Sequence, residues 1–226
     1  DTKAVVRRQV LAAAGQVSLM HTYGRLFAPY GLVSAQVLAT KEDFRDRQHY
    51  INMRNCLLAL LGEGLVPLIN ENDVVAVSEL MFSDNDELAG LVAGMLNFDA
   101  LVLLTSVDGI LDRPPSDPAA KVIPVVDPDH LNWRSFLQEL QKGGRSTMGR
   151  GGMRTKCEIA RRMAAMGTAA YIANGRASDS LLRIIAGNSA GTRFPPTRKA
   201  SNTKRRIAHT PPKGDALSLI HISEPT

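Results

Sequence analysis

The run Asp86-Glu87-Leu88-Ala89-Gly90-Leu91-Val92-Ala93-Gly94-Met95-Leu96-Asn97-Phe98-Asp99-Ala100-Leu101-Val102-Leu103-Leu104-Thr105-Ser106-Val107-Asp108-Gly109 decides the fold. Residues 86–96 carry apolar side chains at helical spacing, and residues 100–104 are apolar without a break until Asp108-Gly109 signals a turn. An uninterrupted apolar strand is one buried on both faces, which belongs in a parallel sheet with helices above and below. The same alternation extends in both directions. Residues 5–23 read as helix, and residues 32–38, with Val33 and Val37, as strand. Residues 40–61 read as a helix capped by Thr40 and Asp43. Its expected buried stripe is Phe44, Ile51, Leu57, Leu58 and Leu61, ended by Gly62 and Gly64. Residues 66–69 read as a buried strand, 153–166 as a helix, 169–173 as a strand and 178–186 as a helix. Strands alternating with helices predict an α/β fold with a largely parallel sheet.

Ligands of such sheets bind beyond the carboxyl ends of the strands. The residues there are polar: Asn70-Glu71-Asn72-Asp73 after 66–69, Thr105-Ser106 after 100–104, and Asn174-Gly175 after 169–173. Asn70, Asn72 and Asp73 offer two carboxamides and a carboxylate, suited to the ammonium and carboxylate of an amino acid. Taken singly, each is equally a loop residue favoured for local backbone reasons. Asp84-Asn85-Asp86 opens a helix, where one carboxylate suffices as a cap. Magnesium fits this segment better than calcium, since Ala89 stands where a calcium loop needs its glycine.

Gly149-Arg150-Gly151-Gly152-Met153-Arg154-Thr155-Lys156 places three glycines and a lysine at a helix start. Backbone N–H groups there approach an anion without a Cβ in the way, the helix dipole adds positive potential, and the ammonium reaches transferred charge. A glycine-rich turn capping an ordinary helix explains the loop alone equally well. It is neither a Walker motif nor a dinucleotide fingerprint. An amide-and-carboxylate pocket combined with a cationic glycine loop suits phosphoryl transfer to a small polar acceptor, chemistry that rests on positioning and charge neutralisation.

The blocks Leu11-Ala12-Ala13-Ala14-Gly15-Gln16, Pro67-Leu68-Ile69-Asn70-Glu71-Asn72-Asp73, Asp84-Asn85-Asp86-Glu87-Leu88-Ala89, Leu103-Leu104-Thr105-Ser106-Val107-Asp108-Gly109 and Gly151-Gly152-Met153-Arg154-Thr155-Lys156 together resemble the amino acid kinase family and, within it, the glutamate 5-kinases. The resemblance implies an αβα sandwich. It implies transfer of phosphate from ATP, with Mg2+, to the side-chain carboxylate of L-glutamate, the first step of proline synthesis. By position, Asp73, Asn85 and Asn70 would contact glutamate. Thr105, Ser106, Arg150, Gly151, Gly152, Met153, Arg154, Thr155 and Lys156 would hold the nucleotide. Lys156 would neutralise the transferred phosphoryl, and Asp86 would organise the site. The family has Asp where this chain has Ser106, a departure that touches nucleotide contacts and not the reaction class. Acetylglutamate, aspartate, carbamate and uridylate kinases of the same fold, or a non-catalytic amino-acid-binding fragment, are the alternatives. Homo-oligomers and feedback inhibition by proline are further implications.

The resemblance also implies a kinase domain over residues 1–196, truncated at its front. The family's first strand with its glycine-rich turn and phosphate-binding lysine, and a small-residue loop contacting glutamate, do not precede Asp1, so the chain alone is expected to be inactive. Residues 197–226 read as a basic linker and a tail whose last part, 217–226, matches nothing in the family. The formal charge of +5 resides in residues 193–213, which contribute seven basic residues and no acid. Without them the body is slightly acidic, which argues against a nucleic-acid face. No apolar run approaches the roughly 20 residues that span a bilayer, and Asp1-Thr2-Lys3 is no secretory signal, so a cytoplasmic protein with no membrane partner is expected. Cys56 and Cys157 read as small buried hydrophobes, not as a disulfide or metal pair.

Overall fold

The computed structural model describes residues 2–75, 82, 84–113, 116–127, 132–133, 135–137 and 152–197. Helix α1 (Thr2–Phe27) ends where Pro29 enters a 3-10 turn and Gly31, at φ 66°, reverses the chain. Strand β1 (Ser34–Ala39) follows and pairs in parallel with β2 (Val66–Glu71), from Ser34 opposite Val66 to Ala39 opposite Glu71. Helix α2 (Arg47–Gly62) crosses between them, its start capped by Asp46, whose carboxylate accepts from the N–H groups of Gln48 and His49. Thr40 and Asp43 do form the expected capping box, but it opens a separate 3-10 turn, Lys41–Phe44, and not the long helix.

Helix α3 (Asn85–Leu96) leads into β3 (Ala100–Thr105), as the deciding stretch requires. Helix α4 (Met153–Ala165) precedes β4 (Ala169–Asn174), which pairs in parallel with β3 from Ala100 opposite Ala169 to Thr105 opposite Asn174. A short helix α5 (Ser180–Ile185) then leads to β5 (Thr192–Phe194), which lies antiparallel on β4. Sequence pattern missed β5. Gly191, at φ 73°, makes the entry, and an added Cβ there would meet the Ile172 carbonyl oxygen. The buried Thr192 hydroxyl then donates to the Ile123 carbonyl and accepts from the Ile110 N–H.

Among the described residues the strands form two sheets, β1-β2 and β3-β4-β5, so β2 and β3 each have a ladder on one edge only. Helix α3 bridges them. Its Leu88, Leu91, Val92 and Met95 join a core with Ala39, Phe44 and Leu57. Its Ala93 joins a second core built on Ile172, Met163, Phe194 and Ile110. A cavity of about 270 Å³ lies between the sheets, lined by Pro67 and Ile69 of β2, Leu101 of β3, and Asn85, Leu88 and Val92 of α3.

Three expectations need correction. The strands read as buried are only partly so: β2 is half-buried throughout, and in β3 only Leu101 and Leu103 are buried while Leu104 is 46% exposed, so the unbroken apolar run does not bury both faces. In α2, Leu57 is fully buried, but Ile51, Leu58 and Leu61 are each about 40% exposed (38%, 39% and 40%). Apolar spacing shows that a face exists and cannot show that anything covers it. Cys56 is exposed on the same helix, while Cys157 is buried as expected. Burial pushes the Cys157 thiol up to about 12 by penalising its charged form.

Candidate active site

The starts of α3 and α4 meet. Asp84 is the cap of α3, its Oδ1 accepting from the Glu87 N–H at 2.9 Å. This fixes Asp86 in the first turn, where a carboxylate complements the helix dipole. Helix α4 begins at Gly152, which has no side chain to cap it, and its first turn holds no acid, so among the described residues no side chain caps the N–H groups of Met153, Arg154 and Thr155. One turn in, Lys156 donates from Nζ to both carboxylate oxygens of Asp86 at 2.7 Å. Both side chains are largely buried, at 14% and 13% exposure, so the pair is only weakly screened.

Close packing makes this contact possible. A Cβ on Gly90 would stand 2.9 Å from Cγ2 of Ile159, so the missing side chain lets α3 and α4 approach. Asp86 lies one turn before Gly90, and Lys156 three residues before Ile159. Burial raises the Asp84 carboxyl above its ordinary value. The Glu87 N–H opposes the rise, Asp86 adds to it and Lys156 opposes it. Its Oδ2 is buried without a hydrogen-bond partner among the described residues.

Two of the three acceptor residues, Asn70 and Asp73, gather at the tip of β2. Asn70 is half-buried and donates from Nδ2 to Oε1 of Gln16 on α1 at 3.1 Å. Asp73 and Asn72 line a second cavity, of about 180 Å³, with Gln16 and Ala12 of α1 and Gln36 of β1. Asn85 is exposed and lines the larger cavity between the sheets instead. Glu71 lies among the acceptor residues. Burial raises its carboxyl above the ordinary 4.5, against the N–H of Phe82, which it accepts. Gln16 carries no chemical signal of its own in the sequence; its contact with Asn70 is what places it beside these residues.

Thr105 ends β3, with its carbonyl accepting from the Gly175 N–H at 2.9 Å, and Ser106 is exposed immediately after it. Next to them Asn174 donates to Asp108 at 2.7 Å, a link between the two strand tips that the sequence did not assign. Met153 packs against the core and Thr155 is half-buried. Arg154 is exposed and paired with Glu158 at 2.8 Å. Gly152 is the α4 cap; Arg150 and Gly151 lie outside the described residues. Among the described residues no helix is long and apolar enough to cross a membrane.

The amino acid kinase family matches residues 1–174. A glutamate 5-kinase of Chlorobaculum tepidum is 46% identical over 204 residues, which is 90% of this chain and 55% of that protein. One of Bacteroides thetaiotaomicron is 42% identical over 224 residues, 98% of this chain and 60% of that protein. The chain therefore spans little more than half the length of these curated relatives. Among solved structures, a UMP kinase from Bacillus anthracis superposes with TM-score 0.51 at 16% identity, covering 86% of this chain and 66% of its own. An isopentenyl phosphate kinase from T. acidophilum gives TM-score 0.52 at 15% identity, over 86% and 73%. At such identity these two speak to the fold alone.

Proposed function

The chain belongs to the amino acid kinase family, and from that premise we propose that it serves the transfer of the ATP γ-phosphoryl group to the side-chain carboxylate of L-glutamate, giving L-glutamyl 5-phosphate and ADP. The observation that carries the reading is the Lys156–Asp86 contact at 2.7 Å. It joins the uncapped, cationic start of α4 to the helix that opens beside the acceptor residues. The relatives named glutamate 5-kinase support glutamate as the acceptor.

The chemistry asks little of the protein beyond placement. A glutamate carboxylate is already deprotonated at neutral pH, so its oxygen attacks the γ-phosphorus directly, the bond to the β–γ bridging oxygen breaks, and no general base is needed. The α4 N–H groups and the Lys156 ammonium neutralise charge spreading over the phosphoryl oxygens. Asp86 holds Lys156 on that line. Asn70, Asp73 and Asn85 orient the acceptor, and Thr105 and Ser106 border the nucleotide. Asp84, whose Oδ2 is buried without a hydrogen-bond partner among the described residues, would be the carboxylate to hold a magnesium ion that takes its other ligands from phosphate and water, Asp86 being engaged through both oxygens by Lys156. Among the described residues no group of three or more His, Cys, Asp and Glu forms a cage of its own. When bound, magnesium would supply charge neutralisation of the phosphates. The same reading makes the protein a cytoplasmic, oligomeric enzyme of proline synthesis with proline as feedback inhibitor.

The test is ADP release by the protein from its complete gene, with L-glutamate, N-acetyl-L-glutamate, L-aspartate, carbamate and UMP compared, and hydroxylamine to trap an acyl phosphate. Glutamate-dependent ADP release with hydroxamate formation is expected. Preference for any other acceptor overturns the assignment.

A further inference from the structure

Helix α1 presents two glutamines to the end of β2. Gln9 donates from Nε2 to the Val74 carbonyl at 2.8 Å. Gln16, seven residues and two turns later on the same face, accepts from Asn70 Nδ2 at 3.1 Å. Between them Ala12 and Ala13 are too small to fill the space, and the cavity of about 180 Å³ opens there, bounded by Glu71, Asn72 and Asp73. The helix therefore brackets the segment from Asn70 to Val74 with amides and leaves room against its own small residues.

We propose that Gln16 is a positioning residue of the acceptor pocket: by holding the Asn70 carboxamide and facing the same cavity as Asp73, it sets the orientation in which the acceptor's polar end is received. This rests on the kinase reading above. A carboxamide has two chemically different ends, and rotation by half a turn exchanges a donor for an acceptor. With Gln16 Oε1 taking one Nδ2 hydrogen, Asn70 is held in one of the two orientations. An uncharged amide suits the position because Glu71 and Asp73 already bring carboxylates to the cavity. A third carboxylate, on α1, would repel an acidic acceptor, whereas Gln16 accepts a hydrogen bond without adding charge.

The test compares the full-length protein with Gln16→Met, Asn70→Ala and the double variant, measuring KM for acceptor and for ATP separately. Methionine keeps the length of the side chain and removes the acceptor oxygen. Loss of one such hydrogen bond is expected to raise the acceptor KM about tenfold. The ATP KM and kcat are expected to stay within about twofold, because uniform binding at one site is what is lost. If Gln16 acts through Asn70, the double variant is no worse than Asn70→Ala alone. Gln16→Ala provides the same comparison should Gln16→Met fold poorly.

An unchanged acceptor KM, a parallel rise in both KM values, or additive effects with Asn70→Ala would overturn the proposal. Failure of the glutamate reading looks different: the unaltered protein then prefers another of the five acceptors, and Gln16 is judged by the same criteria on that acceptor. An unaltered protein that neither phosphorylates any of the five nor binds any of them by calorimetry removes both.

Discussion

Lys156 and Asp86 illustrate how one contact carries both stability and chemistry. Replacing Lys156 by Met leaves the Asp86 carboxylate largely buried without its cation, and losing one partner of such a pair costs about 3 kcal/mol. The expected result is a lowered urea midpoint in Lys156→Met that is partly recovered in Lys156→Met/Asp86→Asn, where no lone charge remains. Turnover behaves otherwise: both variants are expected to lose about 10²- to 10³-fold in kcat, as for loss of one transition-state donor. Recovery of kcat in the double variant would remove Lys156 from the chemistry. Glu71 gives a pH-dependent case. Its folded-state carboxyl lies above 4.5, mainly through burial, so the folded protein holds this proton more tightly than the unfolded chain does. The stabilising contribution of the protonated form is therefore complete below the unfolded value and is lost as pH rises through the raised one. Glu71→Gln keeps an oxygen for the Phe82 N–H and removes the buried charge. Melting temperatures are expected to favour the variant at pH 7.5 and to converge with wild type near pH 4; a constant difference across that range would refute the assignment.

At the scale of elements, Gly90 decides how near α3 and α4 come. A methyl group there would meet Ile159 Cγ2 at 2.9 Å, an atom fixed on a β-branched carbon that cannot swing away. Gly90→Ala gains helix propensity yet must part the helices, and overpacking of this kind costs about 1–3 kcal/mol. Because the same approach brings Asp86 to Lys156, the variant is expected to bind ATP more weakly as well as to unfold earlier, measured by calorimetric titration and thermal melts. Normal ATP affinity in a destabilised variant would separate the packing from the site. The elements themselves were legible where a pattern closed on itself. The α4 stripe of Cys157, Ala160, Met163 and Ala164 announces a buried face with a known period; the unbroken apolar run before Thr105 announces a strand but not its burial, since only Leu101 and Leu103 are buried and Leu104 is exposed. Strand β5 was not legible, because three residues hold no period and its reasons are Gly191's backbone and one buried hydroxyl. The α2 stripe was legible as apolar but not as exposed. In the site, residue types could be read from the motifs, whereas pairings such as Lys156 with Asp86, 70 residues apart, or Gln16 with Asn70, 54 apart, depend on which helices meet.

Across the whole molecule the two sheets are unequally consolidated, and this should appear as unequal exchange of backbone amides. The β3-β4 side encloses Ile110, Cys157, Met163, Ile172 and Phe194 at 0% exposure. On the other side every residue of β2 is only half-buried, and α1 exposes Val6, Val10, Leu11 and Val17 by more than half. Local opening is cheapest where few buried contacts must be broken. Deuterium exchange is therefore expected to be slowest in β4 and α4, faster in β2, and fastest in α1. Helix α3 belongs to both cores, so its protection reports whether the halves open together. A nucleotide bridging the α3 and α4 starts adds contacts only in the closed arrangement and stabilises it by mass action. Addition of a non-hydrolysable ATP analogue is thus expected to slow exchange in the first turns of α3 and α4 and to leave α1 nearly unchanged. The acceptor would act from the other side, slowing α1 through Gln16 and the tip of β2. Equal protection of α1 and β4 in the free protein would mean that the two cores form one cooperative unit, and the bridging role of α3 would then be lost.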